Sequence, residues 1–227
     1  MTFSVIATCE RTGEFGCAFA TSSTAVGARV AFIVPEFGVV LSQGRSDPRL
    51  GAVGIASLRS GSSAQDALAD MIDATQDAMW RQLAVMDVTG RFADFTGDKC
   101  TDAKAAKTRP GVLCLGNGLM NEEVIDAMLE GYATNSTQKL ADRLLDALEK
   151  GLTCGGERGP IRSAGIRLAQ PGIPFTPTDL RIDYSEKPLE ALRTLWQRWR
   201  FLSDGYVQRA LDPSNSPAAA NLEPTAS

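Results

Sequence analysis

Four short apolar segments come before the first helical pattern, and this order limits the folds open to the chain. Two of them, Phe3–Cys9 and Phe15–Thr21, are separated by a polar turn at 10–13 and predict a β-hairpin. A second pair, Arg29–Val34 and Gly38–Gln43, follows a loop of small residues. Strands joined by short turns pair antiparallel, whereas parallel strands need a long crossover. The pattern therefore argues against a regular alternation of strands and helices.

Helical and strand patterns then follow in blocks along the rest of the chain. Helices are predicted at 49–58, 64–74, 121–132, 136–150 and about 188–210, and strands at 81–88, 91–95, 111–115, 164–169 and 180–184. Residues 97–110 are polar and lysine-rich, and we expect an exposed loop there. The order predicts an α+β fold with antiparallel sheets flanked by helices, in one domain over 1–211. Residues 212–227 have the composition of a disordered tail.

Composition excludes several classes of protein. The net charge of −4 is unfavourable for a general nucleic-acid binder, which needs a basic face. The chain has no apolar run long enough for a membrane-spanning helix, and no secretory signal is visible, so we expect a cytoplasmic protein. The five cysteines form an odd set without a C-x-x-C pair, and they are typical of reduced, buried thiols.

The chain contains no histidine. Serine or cysteine hydrolases that use histidine as the base are therefore excluded, and so are zinc sites with histidine ligands. We expect no metal and no organic cofactor. A hydrolase built from this sequence must take its general base from another group.

Thr2 offers such a base. Methionine aminopeptidase removes Met1 when the second residue is small, which would leave the hydroxyl of Thr2 beside its own α-amine. A free α-amine has a reference pKa of about 7.7–8.0, so much of it can accept a proton near neutral pH. Threonine with its own amine as base is an established nucleophile. The structural alternative is that Thr2 is simply the first residue of a strand.

Several motifs together resemble a known family. They are TFSVIA at 2–7, TGEFG at 12–16, ATSSTAVGA at 20–28, Gln43, DPRLG at 47–51, 95–97 with Cys100, 116–117, 141–149 and 155–157. In order and spacing they resemble a small prokaryotic family of unknown function that is placed in the N-terminal-nucleophile (Ntn) hydrolase superfamily. The resemblance covers about residues 2–185. It implies a four-layer αββα sandwich of two antiparallel sheets between helices.

The resemblance also implies an activity, which is hydrolysis of a small-molecule amide through an acyl-enzyme on Thr2. Superfamily members with threonine, such as proteasome subunits, place an acidic residue and a lysine beside the nucleophile. Here the acidic position falls on Thr21, and residues 29–43 contain no lysine. An arginine could supply the charge, but it cannot shuttle protons. A non-catalytic ligand-binding or assembly protein that retains the fold is therefore the alternative.

Five further residues are candidates for the site. Asn117 could stabilise an oxyanion through its amide and a backbone N–H, and Gln43 could orient the N-terminal amine or donate to an oxyanion. Arg49 could bind a substrate carboxylate, and Glu157 in a glycine-rich loop could reach a substrate amine. Ser22 follows the position of the missing acidic residue. Each also has a structural explanation, as a turn, strand-end, helix-start or connector residue.

The predicted last helix carries Trp196 and Trp199 among arginines. Because these residues recur at helical spacing in an acidic protein, we interpret them as a packing face rather than as a nucleic-acid surface. The face can lie against the body of the protein or against a second copy, which leaves a homodimer open.

Overall fold

The strands assemble into two antiparallel sheets. The computed structural model describes residues 1–223, and within this range ten strands are present. They are β1 (Thr2–Thr8), β2 (Phe15–Thr21), β3 (Ala31–Val34), β4 (Gly38–Gly44), β5 (Arg81–Asp87), β6 (Phe92–Thr96), β7 (Lys104–Arg109), β8 (Val112–Asn117), β9 (Ser163–Ala169) and β10 (Thr178–Ile182). The larger sheet has the order β10-β9-β2-β1-β8-β7, and the smaller one has the order β3-β4-β5-β6.

Helices cover the outer faces of both sheets. They are α1 (Pro48–Arg59), α2 (Ala64–Asp73), α3 (Glu123–Ala133), α4 (Leu140–Thr153), α5 (Pro188–Trp199), α6 (Ser203–Leu211) and α7 (Ala219–Leu222). Helices α3, α4 and α5 share a buried cluster with the larger sheet, and α1 and α2 share one with the smaller sheet. The predicted α+β fold, a four-layer αββα sandwich, is therefore confirmed.

The alternation of side chains along β1 shows how the layers form. Phe3 and Val5 point outward into the cluster with α3 and α4, whereas Ile6 points inward to the cluster between the sheets. Successive strand residues face opposite sides of a sheet, so a strand that is buried on both faces reads as a continuous apolar run. Because β1 is buried on both faces, its sequence is mostly apolar, and the strand could be predicted from it.

The two predicted hairpins form, since β1 pairs with β2 and β3 pairs with β4, but they belong to different sheets. The expected loop at 97–110 is wrong in part, because Lys104–Arg109 forms β7. This strand is the edge of the larger sheet and pairs with β8 alone. An edge strand tolerates lysine and arginine that face solvent, so its composition resembles that of a loop.

The C-terminal part also differs from the expectation. The single helix predicted at 188–210 is two helices, Pro188–Trp199 and Ser203–Leu211. Between them the N–H of Leu202 donates to Trp199 O at 2.9 Å, and this tight turn buries the Leu202 side chain.

In the segment expected to be disordered, Glu223 accepts hydrogen bonds from Arg198 at 2.6 Å and Tyr206 at 3.1 Å. Residues 224–227 of that segment lie outside the described residues. The single domain over 1–211 and the disordered tail at 212–227 stay predictions. No helix within residues 1–223 is both long and apolar enough to cross a lipid bilayer.

Candidate active site

A row of polar residues crosses five strands of the larger sheet at one end of the sandwich. The registers place Thr2 opposite Asn117, Asn117 opposite Lys104, and Thr21 opposite Ser163. The hydroxyl of Thr2 lies 3.5 Å from that of Thr21, so the row continues from β1 to β2. Directly opposed residues point to the same face of a sheet. This polar row therefore faces the space between the two sheets, where the preceding inward positions are apolar.

A buried network of side-chain amides joins the polar row to the smaller sheet. Ser4, Gln43, Gln82 and Asn117 are fully buried. The hydroxyl of Ser4 donates to Gln43 Oε1 at 2.7 Å, and Gln43 Nε2 donates to Gln82 Oε1 at 2.8 Å. Asn117 Nδ2 donates to the same oxygen at 3.1 Å. The network thus links β1, β4, β5 and β8 where no apolar side chain fills the space.

Gln82 fixes the direction of this network. Its Nε2 lies 3.0 Å from Gly116 O and 3.3 Å from Ala105 O. Because carbonyl oxygens can only accept, the NH₂ group of Gln82 must face them, and its oxygen must face the amides of Gln43 and Asn117. Asn117 Nδ2 is therefore engaged with Gln82. Asn117 Oδ1 is buried and has no partner within residues 1–223.

Thr2 lies at the centre of the polar row, and 5% of its surface is exposed. Its hydroxyl donates to Met1 O in a short contact, and the hydroxyl of Thr21 donates to the same oxygen at 2.6 Å. Thr21 Oγ1 also lies 3.4 Å from Ser23 Oγ. The carbonyl that precedes Thr2 is thus held between two hydroxyl groups.

Glu157 brings a buried carboxylate to the same end of the sandwich. It is 4% exposed, and its Oε2 accepts from the backbone N–H of Ser22 at 2.9 Å, whereas Oε1 has no partner in the described part of the chain. Burial raises the pKa of Glu157, and the Ser22 hydrogen bonds and the Met1 ammonium oppose this only in part. Gly156 precedes it with φ of +58°, a conformation that favours glycine and turns the loop towards Leu119.

Arg49 lies outside this arrangement. Its side chain is 86% exposed and forms a bidentate pair with Asp47, at 3.0 and 2.7 Å. Asp47 caps helix α1, and the Arg49 side chain lowers the pKa of the Asp47 carboxyl. No hydrogen bond in the described structure connects Arg49 to the polar row. Its role in substrate binding stays a prediction, and so does an active-site role for Gln43 and Ser22.

The polar row contains a lysine, Lys104. It lies on β7, and not in residues 29–43, where the resemblance implied a lysine. Its ammonium donates to Asp98 O at 2.5 Å and Cys100 O at 3.0 Å, and it lies 3.3 Å from the Asp102 carboxylate. Lys104 was not predicted as a site residue because its strand has the composition of a loop.

Burial raises the pKa of the Cys100 thiol, and the charges of Lys104 and the Met1 ammonium oppose that shift.

Ser4 and Gln82 were not predicted from the sequence. The available signal is the alternation in Arg81–Asp87, which puts Gln82 on the same face as Ala84 and Met86. A glutamine at an inward position of a strand indicates a buried polar partner elsewhere. That partner lies about forty residues away in the chain, so no local pattern identifies it.

Comparison with protein families finds one match, in which residues 2–192 fit the model of a family of unknown function, DUF1028. A solved structure from Silicibacter pomeroyi, described with the same family, is 31% identical, with 92% of this chain and 90% of that chain covered and a TM-score of 0.84. The comparison with curated proteins found no match.

Two structures of Anbu, described as an ancestral β-subunit, also match at 14% identity with TM-scores of 0.43. The protein from Yersinia bercovieri aligns over 95% of this chain and 98% of its own. A mutant from Hyphomicrobium sp. strain MC1 aligns over 96% and 100%, respectively.

Proposed function

The chain belongs to DUF1028, a family of unknown function, and from the geometry of its site we propose an Ntn-type amidohydrolase that acts on a small-molecule amide. Thr2, freed by removal of Met1, is the nucleophile. The observation that carries the proposal is the position of Thr2, whose hydroxyl lies in a buried polar row beside Thr21 and opposite Asn117. If Thr2 were only the first residue of a strand, the fold would not need these buried polar groups beside it.

The proposed reaction has two steps. The neutral α-amine of Thr2 takes the hydroxyl proton as Oγ1 attacks the carbonyl carbon of the amide. The C–O bond of the ester forms, the C–N bond breaks, and the proton passes to the leaving nitrogen. Water, activated by the same amine, then hydrolyses the ester. The base is part of the nucleophilic residue, so the proposal requires neither metal nor organic cofactor.

Thr21 and Asn117 have different parts in this proposal. Thr21 Oγ1 already donates to a carbonyl oxygen next to Thr2, at 2.6 Å, and is suited to stabilise developing negative charge. The Asn117 amide donates to Gln82, so Asn117 acts instead through Oδ1, as an acceptor that orients the α-amine of Thr2. Ser22 holds the carboxylate of Glu157 through its N–H.

The test is a screen of small amides with protein from which Met1 has been removed, comparing wild type, Thr2→Ser and Thr2→Ala. All three second residues are small enough for methionine removal. Thr2→Ser keeps a hydroxyl nucleophile and should retain turnover, whereas Thr2→Ala should lose at least about 1,000-fold. Equal turnover by Thr2→Ala and wild type would exclude Thr2 as the nucleophile.

A non-catalytic ligand-binding or assembly protein is the second candidate. The charge pattern favours it, because Lys104 is engaged with two backbone carbonyls and Asp102, and residues 29–43 contain no lysine. This candidate predicts that a ligand of the site binds without being consumed. Ligand recovery after prolonged incubation distinguishes the two functions.

Location and assembly are part of the proposal as well. We propose a cytoplasmic protein, because methionine aminopeptidase acts there on nascent chains. We also propose a homodimer, without nucleic acid or membrane as partner. Light scattering at several protein concentrations tests the dimer, and a constant monomer mass would contradict it.

A further inference from the structure

Met1 occupies the candidate site in the way that an acyl group would. Its carbonyl carbon is bonded to the nitrogen of Thr2, and its carbonyl oxygen accepts from the hydroxyls of both Thr2 and Thr21. The carbonyl group of Met1 therefore lies beside the Thr2 hydroxyl, and the rest of Met1 extends away from it. The groups around the Met1 side chain and ammonium outline the space that is available to a substrate.

The side chain of Met1 packs against the backbone of Gly118, which has no side chain of its own. A Cβ at position 118 would be only 2.8 Å from Cβ of Met1 and 3.0 Å from its sulfur, so a larger residue would displace the side chain. The backbone of Gly118 is held on both sides, by Thr101 O at 3.0 Å and by the N–H of Arg158 at 3.1 Å. Gly118 therefore forms the floor of a subsite for an apolar side chain.

Among residues 1–223, no donor is present for two buried oxygens at this end of the sandwich. They are Glu157 Oε1 and Asn117 Oδ1, and both residues are more than nine-tenths buried. An unpaired buried acceptor costs free energy, so such atoms in a native protein call for an explanation. An ammonium group has three donors and no acceptor, so a substrate ammonium suits Glu157 Oε1, while Asn117 Oδ1 is left for the α-amine of Thr2. The positive charge of Met1 already lowers the pKa of Glu157 against the effect of burial.

We infer that the site takes α-aminoacyl amides, which are small molecules with a free α-ammonium, an apolar side chain and an amide on the carboxyl carbon. Glu157 binds the ammonium, Gly118 supports the side chain, and Thr21 donates to the carbonyl oxygen. Cleavage of these compounds rests on the proposed function, whereas their binding does not. Cleavage transfers the aminoacyl group from the amide nitrogen to Thr2 Oγ1, a proton goes to the leaving amine, and water releases the amino acid.

The experiment is a calorimetric titration of the Thr2→Ala protein without Met1, so that no ligand is consumed. L-Methioninamide and N-acetyl-L-methioninamide differ only at the α-nitrogen, where a neutral acetamide replaces the ammonium, and they form the pair of ligands compared. We expect methioninamide to bind at least about tenfold more tightly, which corresponds to one ion pair in a buried site. Glu157→Gln should remove the preference, and Glu130→Gln, an exposed helix residue, should keep it.

Equal affinities for the two ligands would overturn the inference, as would preference for the acetylated one or no binding of methioninamide up to about 10 mM. The ligand pair gives this result on its own, even where Glu157→Gln does not fold. Turnover by the Thr2 protein separates the two proposals. Hydrolysis of the acetylated amide alone would leave the hydrolase intact and contradict the aminoacyl site, and binding without hydrolysis would do the reverse.

Discussion

The inward faces of the two sheets carry apolar side chains in the middle of the sandwich and polar ones at one end. Leu41 and Leu113 lie in the middle. Gln43 lies two residues beyond Leu41 and Asn117 four residues beyond Leu113, and both are at the polar end. Both regions are equally buried. The side chains in the middle make apolar contacts, whereas those at the end depend on hydrogen bonds. Within residues 1–223, two buried oxygens at that end, Asn117 Oδ1 and Glu157 Oε1, have no donor.

This difference indicates that the two regions serve different purposes. Apolar burial stabilises the fold without needing a particular partner. A buried polar network that is only partly satisfied is less stable than an apolar core of the same shape, and proteins keep such networks where function requires them. The polar end of the sandwich, and not the apolar middle, is therefore the region where chemistry is expected.

The largest effect on stability should come from the middle. Leu113→Ala removes a fully buried side chain between the sheets, and we expect the free energy of unfolding to fall by about 2–5 kcal/mol. Urea denaturation measures it. Thr2→Ala in the protein without Met1 removes one buried hydroxyl without emptying the apolar core, and it should lower the same quantity by only about 1 kcal/mol. Similar losses for both variants would contradict the division into a structural middle and a functional end.

Gln82→Leu should have the next largest effect. The substitution leaves Gly116 O and the amides of Gln43 and Asn117 without their partner. Because the Gln43 and Asn117 side chains can rotate towards other acceptors, we expect a net loss of about 1–3 kcal/mol. We expect lower stability in urea denaturation and loss of turnover, because Asn117 is free to rotate. Gln65→Leu, on the exposed face of α2, is the control. An unchanged midpoint for Gln82→Leu would show that the network is dispensable.

Glu157→Gln should have the smallest effect, and its sign depends on pH. Burial raises the pKa of Glu157 above the value of 4.5 expected in the unfolded chain, so the native state binds this proton more tightly. Its contribution favours folding most below pH 4.5 and is lost as the pH rises through the raised pKa. The amide cannot ionise, so Glu157→Gln should gain stability over wild type towards pH 7.5 and less at pH 5.

Parallel urea titrations of wild type and Glu157→Gln at the two pH values measure this difference. Glu186→Gln is the contrasting control, because its exposed carboxyl has a pKa that is lowered, with Arg162 as the main cause. A pH-independent difference between wild type and Glu157→Gln would contradict a raised pKa.

The sequence allowed the layers of the fold to be predicted, and it named two residues that the structure places in the polar row. Strand periodicity located β1 and β8, and this was enough to place Thr2 and Asn117 at strand ends. It did not reveal Gln82, because an amide on an inward face has meaning only once its partners on another sheet are known. Lys104 was hidden for a different reason, since an edge strand with one solvated side carries the composition of a loop.

The orientation of the Asn117 side-chain amide could not be predicted from the sequence either. Its side chain was expected to donate to an oxyanion, and the sequence cannot show which end of the amide is free. The carbonyls of Gly116 and Ala105 decide this through Gln82, two hydrogen bonds away from Asn117. Tertiary contacts thus determine whether a residue that the sequence identifies presents a donor or an acceptor.

The most direct test of the central claim is the intact mass of untagged protein, expressed without modification of its N-terminus. The account predicts a mass lower by one methionine residue, which leaves Thr2 with a free α-amine in the polar row. Retention of Met1 in nearly all molecules would contradict it, because the amine of Thr2 would then be an amide nitrogen and could not act as a base.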